Sequence, residues 1–373
     1  MKINKNLFYT YLIYFIVILC FVGIRIFSSA GGFSFIKNDT LTDYVATLLI
    51  QVVIMGIVPF GLYKIITKKT IKQIFADFGF KKISFKAVLL CVGIGVCVYI
   101  LNLYVASFFS NILSLFGYYQ GSSSSGGSGQ NVSVLSFIVS TFFVAVLPGI
   151  FEEFTHRGLL MRGVANSLGY KRAIVISSVL FGLMHMNINQ CFYAIFIGLI
   201  IGFVSGSSGS IFPAMILHFM NNFLNTYMSY AINGNWVGGK IVNSISNSIY
   251  NLGGFLSTLV VIMFLIFVTV LLVYLIIKLF KETRYKEFSM SVIDMATNIH
   301  NTSVEELTDS QLENTFAEYI MPYIQNYSIV DCMLPKGKEE LDKVGLETNI
   351  FVYCSMFLGF LITAFTFMWG VIW

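Results

Sequence analysis

Residues 151–163 read FEEFTHRGLLMRG and close a long apolar run. Of the 18 acids in the chain, 13 fall in one polar block at 280–348, and Asp39, Asp43 and Asp77 lie in connections. Only Glu152 and Glu153 are left inside apolar sequence. Three of the four histidines behave the same way, namely His156, His185 and His218. An ionisable side chain at membrane depth costs roughly 2.5–3.5 kcal/mol at a helix centre, so such residues are functional candidates by default. These cluster on three consecutive segments rather than scattering.

Glu152 and Glu153 point about 100° apart on a helix and cannot share one role. Arg157, four residues beyond Glu153, can pair with it on one face, which makes Glu153 a counter-ion. Glu152 is then free, and a carboxylate among apolar walls suits a general base toward water. The competing reading is a salt-bridge network at a helix end. His156 lies four residues beyond Glu152 and is placed to touch it. Phe181 and His185 are four apart, as are His218 and Asn222, so each pair shares a helix face. A lone histidine in a span is often an interhelical polar contact. Two histidines with an amide and a glutamate make a convergent site. Pro148 and Gly149 favour a kink just before the glutamates. The stretches NINQ (187–190) and SGSSGS (205–210) break the following segments. Broken helices at membrane depth usually line a water-filled cavity, which a hydrolase needs.

The elements that position these groups are membrane helices. The chain is 57% hydrophobic and 11% charged, against about 25% charged in soluble domains. Nine apolar runs approach the length of about 20 residues that a span needs: 7–27, 44–66, 87–109, 133–153, 172–190, 191–207, 211–229, 252–278 and 349–371. The expected fold is therefore an all-α polytopic transmembrane bundle of about nine spans. Twenty of the 23 basic residues fall in alternate connections, and only Arg25, Lys37 and Lys240 lie on the other side. The positive-inside rule then puts the N-terminus in the cytoplasm of a multi-pass protein of the cell membrane.

Residues 67–86 are basic, with Ile71, Ile74, Phe75 and Phe78 at helical spacing, which fits either an interfacial amphipathic helix or an ordinary basic loop. GSSSSGGSG (121–129) reads as a flexible loop. The block 280–348 carries 13 acids against six bases and reads as short amphipathic helices in the cytoplasm. The six cysteines are scattered, form no CxxC pair and read as buried small residues.

The order Glu152-Glu153…Arg157, Phe181…His185 and His218…Asn222 resembles the CAAX prenyl protease type II and bacteriocin-processing family (CPBP, or Abi). GSIFPAMILHFMNN (209–222) is similar to the stretch before that family's last motif. The resemblance covers roughly 140–230 and implies an intramembrane endopeptidase open toward the cytoplasm. It implies that Glu152 activates water, that His185 holds and polarises it, and that His218 and Asn222 donate to the oxyanion. Glu153 and Arg157 support them. It implies prenylated proteins as substrates of the eukaryotic branch, and peptide maturation, bacteriocin immunity and signalling for the bacterial one. His156 departs from the pattern, where an aromatic residue is usual.

The chain accordingly divides into N-terminal helices with a basic loop (1–132), a catalytic core (133–230), a following helix (231–279), the acidic segment (280–348) and a last helix (349–373). The expected partners are the lipid bilayer and a peptide or protein substrate, with no nucleic acid. No cofactor is expected. The alternative is zinc on Glu152, His156, His185 and His218. Two other functions stay open: a non-proteolytic immunity or scaffold protein, which the acidic block favours, and a proton-coupled transporter, for which inverted repeats are missing.

Overall fold

The computed structural model describes residues 4–118, 132–284 and 346–372. Among these residues eleven helices run in order: α1 Lys5–Ser29, α2 Asp39–Thr67, α3 Ile71–Asp77, α4 Phe85–Leu115, α5 Val134–Leu168, α6 Tyr170–Met184, α7 Ile188–Ser208, α8 Phe212–Asn233, α9 Val237–Tyr250, α10 Gly254–Thr283 and α11 Leu346–Ile372. The loop 121–129 and nearly all of the acidic block 280–348 lie outside the described residues, as does Cys332.

Polar residues punctuate the apolar runs. Asn4, Asn38, Ser84 and Asn187 each accept a backbone N–H in the first turn of the helix they start. Thr70 and Gln73 form a reciprocal capping box on α3. This is the usual way to satisfy the orphan donors of a helix start. Gly169, at φ +79°, lets the chain reverse from α5 into α6, a conformation glycine adopts at little cost.

Helix α5 is the centre of the bundle and packs against α1, α2, α6 and α8. Helices α6 and α7 form a tight hairpin beside it, and α4 covers α7 and α8. Helix α10 leans on α4, and α11 lies against α1 and α6. The outer faces are apolar: Phe264, Phe267 and Val270 on α10 are exposed. That arrangement suits lipid, not water, and the chain is a multi-pass membrane protein.

Among the described residues, seven helices are long and apolar enough to cross a membrane: α1, α2, α4, α5, α7, α10 and α11. The sequence expectation of nine counts two more, α6 and α8. Helix α6 has 15 residues, about 22 Å against a hydrocarbon core of about 30 Å. It ends at His185 instead of running to residue 190. Helix α8 has 22 residues and is long enough, but His218, Asn221, Asn222 and Asn225 make it too polar. Both have largely buried faces, so protein rather than lipid solvates them.

The basic stretch 67–86 contains the short helix α3. Its apolar positions divide: Ile74 and Phe78 are buried, while Ile71 and Phe75 are exposed. Phe78 packs edge-on against Phe154 of α5, and Gly79 O accepts from Ile211 N at 2.9 Å. The same end of the bundle holds Asn4, which donates to Ser167 (3.1 Å) and Thr348 (3.4 Å). The Lys86–Glu282 ion pair (2.8 Å) is there too. The described cysteines are all free; Cys91, Cys97 and Cys191 are buried, and Cys20 and Cys354 are exposed.

Candidate active site

The glutamate pair sits between two π-helical segments of α5, Phe142–Val146 and Phe154–Met161. A third, Leu49–Ile57, lies in α2. The wider i→i+5 turn disturbs the ordinary carbonyl ladder. Side chains bond backbone carbonyls at or beside each segment. Asn222 Nδ2 donates to Val144 O (3.0 Å), Thr155 Oγ1 to Met55 O (2.5 Å), and His156 Nδ1 to Glu152 O (2.8 Å). The kink expected from Pro148 and Gly149 thus takes the form of π turns on both sides of the glutamates.

A relay of polar contacts crosses the site. Arg157, fully buried, donates from Nη2 to Gly198 O (3.2 Å) and from Nη1 to Glu153 Oε1 (3.0 Å). His218 Nδ1 reaches the same Glu153 oxygen at 2.7 Å. His218 Nε2 then lies 3.9 Å from Glu152 Oε2. The other Glu152 oxygen, Oε1, accepts from Gln51 Nε2 at 2.7 Å. Glu152 Oε2 is buried with no hydrogen-bond partner. The pairing of Glu153 with Arg157 is as the i,i+4 spacing predicts; Glu152 stays clear of Arg157 but is not free, because Gln51 holds one of its oxygens.

Phe181 is the apolar pillar of the site. Its ring meets His156, His185 and His218 edge-on at centroid distances of 5.0, 5.1 and 5.6 Å. The Arg157 guanidinium carbon lies 4.7 Å from the same ring centroid, a cation–π distance. All three membrane histidines and the arginine therefore border one phenyl group. His185 caps α6 at a tight turn in which Met186 has φ +51°. Its ring nitrogens make no hydrogen bond among the described residues, and it is partly exposed.

Asn222 is also partly exposed. Its Oδ1 accepts from Asn221 Nδ2 (3.1 Å), and Asn221 Oδ1 accepts from Asn102 Nδ2 at 3.5 Å. One Nδ2 hydrogen of Asn222 is spent on Val144 O, which leaves the second.

His156 is held on both sides. A carbonyl can only accept, so Nδ1 carries a proton toward Glu152 O, and Tyr14 OH faces Nε2 at 3.1 Å. His156 contacts the backbone of Glu152 rather than its carboxylate and has no nitrogen to give a metal. Among the described residues no three His, Cys, Asp or Glu side chains gather as a metal site requires. As a set, Glu152, His156, His185 and His218 do not fit a zinc ion.

The structure brings all six sequence candidates into one region of the bundle: Glu152, Glu153, Arg157, His185, His218 and Asn222. Sequence reasoning missed Gln51 and Tyr14. Gln51 carried a signal, a lone amide in the apolar run LLIQVVIMG; a tyrosine in a span carries little.

Residues 134–224 match a family model described as type II CAAX prenyl endopeptidase, Rce1-like. No curated protein matches the chain, and no solved structure does.

Proposed function

We propose, from a chain whose residues 134–224 match the model of the Rce1-like type II CAAX prenyl endopeptidases, that it is an intramembrane endopeptidase acting through a glutamate-activated water. The observation that carries this reading is Glu152 Oε2, buried without a hydrogen-bond partner and 3.9 Å from His218 Nε2. Polar atoms beyond about 3.5 Å are commonly bridged by water. One water at about 2.8 Å from each directs one O–H to Glu152 and one to His218.

In this reading Glu152 takes a proton as the water oxygen bonds to the scissile carbonyl carbon. The carbonyl π electrons move to the oxygen and make an oxyanion. His185 and the second Nδ2 hydrogen of Asn222 are assigned to that oxyanion, the electrostatic contribution that dominates acyl transfer; this exchanges the roles that the resemblance implies for His185 and His218. Collapse re-forms the carbonyl, the C–N bond breaks, and Glu152 returns its proton to the leaving nitrogen. His218 is assigned to holding the water, because Glu153 binds its Nδ1–H. Arg157 holds Glu153, and Phe181 keeps bulk water from the imidazoles.

The substrate is a membrane-associated peptide, prenylated or leader-bearing, that meets the site from within the bilayer. The reaction needs no metal. The bundle end with Asn4, Thr348 and the basic residues of 64–86 is the cytoplasmic one by the positive-inside rule.

The test is cleavage by purified protein in detergent, read by mass spectrometry on a peptide library that includes farnesylated C-termini, beside Glu152→Gln. Cleavage lost in the variant is the expected result. Cleavage that persists in Glu152→Gln removes Glu152 from the centre of the mechanism.

A further inference from the structure

Gln51 lies in α2, outside the residues that match the family model. It is 6% exposed, and its Nε2 is 2.7 Å from Glu152 Oε1. An ionised carboxylate has no hydrogen to give, so the amide must turn its NH₂ toward Glu152. That orientation leaves Gln51 Oε1 buried with no hydrogen-bond partner. A buried acceptor without a partner is costly, so the amide is oriented by the carboxylate and not by its own needs.

The contact is built on both helices. Phe151 packs so closely on Gly56 that a Cβ there would lie 2.7 Å from its ring. Thr155 donates to Met55 O. Residues 151, 152 and 155 of α5 therefore meet 51, 55 and 56 of α2 along one seam. Only a residue as small as Gly56 allows the helices close enough for Gln51 to reach.

A carboxylate left to itself rotates about χ3 in a broad, roughly two-fold well, so either oxygen can face the reacting water. A charge-assisted bond to one oxygen removes that freedom. We infer that Gln51 is a positioning residue: by holding Glu152 Oε1 it makes Oε2, opposite His218 Nε2, the atom that takes the water proton. The inference rests on the peptidase reading, and it makes α2 part of the machinery although the family match begins at residue 134.

Gln51→Met keeps the shape and removes the donor. Its kcat should fall ~10- to 100-fold, the worth of one hydrogen bond to a charged group, while KM changes less than two- to three-fold, because Gln51 does not hold the substrate. In the inactive Glu152→Gln background, the same substitution should leave peptide affinity unchanged. A wild-type kcat, or a KM that rises in step with the loss, overturns the inference and leaves the peptidase reading standing.

An activity-free readout covers a failure of that reading. The infrared difference between the protein and its Glu152→Gln variant isolates the Glu152 carboxylate stretch. Gln51→Met should shift and broaden that band as the hydrogen bond is lost and the carboxylate rotates. An unmoved band overturns the positioning role whether or not a cleavable peptide has been found. Gln51→Leu, read the same way, separates loss of the donor from any packing fault peculiar to methionine.

Discussion

His218 Nδ1 lies 2.7 Å from Glu153 Oε1, and that bond decides which side of the imidazole faces Glu152. The carboxylate accepts, so Nδ1 carries the hydrogen, and in the neutral imidazole that leaves the Nε2 lone pair facing Glu152 Oε2. Glu153 thus does more than balance Arg157. It selects the tautomer of the histidine across the site.

The tautomer can be read directly. In ¹⁵N spectra of histidine-labelled protein, His218, assigned by its loss in His218→Gln, should show a protonated Nδ1 and an unprotonated Nε2 near neutral pH. The reverse pattern would detach it from the water-holding role.

The two glutamates should fail differently. Glu153→Ala strands Arg157, a fully buried charge, and breaking such a pair costs about 3–5 kcal/mol. Glu152→Gln keeps an oxygen for Gln51 and should fold. Yield and thermal unfolding in detergent should drop for Glu153→Ala, whereas Glu152→Gln should lose activity at near-normal yield. Equal yields with equal activity loss would undo this division of labour.

Asn222→Ala should slow turnover about ten- to a thousand-fold, the range for an oxyanion donor. It also frees Val144 O, so the unfolding temperature should be measured alongside. An unchanged rate would remove Asn222 from the site.

Thr155→Val tests the seam between α2 and α5 away from the reacting atoms. It takes the hydroxyl from the buried carbonyl of Met55. An unsatisfied buried acceptor costs about 1–3 kcal/mol, so the unfolding midpoint should fall. No change would mean that another donor reaches Met55 O.

Much of the site was legible because charge is rare in this sequence. Glu152, Glu153, His185 and His218 stand out against hydrocarbon, and i,i+4 spacing gave the Glu153–Arg157 pair and the shared faces of Phe181 with His185 and His218 with Asn222. What spacing could not give was contact between distant segments. The carboxylate of Glu152 meets Gln51, 101 residues earlier, and His156 meets Tyr14, 142 residues earlier. Phe181 was visible as a neighbour of His185 but not as the ring beneath all three histidines. The two expected spans that fall short of the length and apolarity of the other seven are those nearest the candidate site: α8 carries its amides, and α6 ends at His185.

The π turns around the glutamates have a genetic meaning. Each i→i+5 turn holds one residue more than an α turn, so it has the geometry of an ordinary helix with a single codon inserted. At about 100° per residue, such an insertion swings everything beyond it to another face. Removing Phe143 from Phe142–Val146 would leave a well-formed helix whose glutamates no longer keep their bearing to Val134–Thr141, the stretch before them that packs on α8. One in-frame deletion of three nucleotides can therefore abolish the site without touching any residue that forms it.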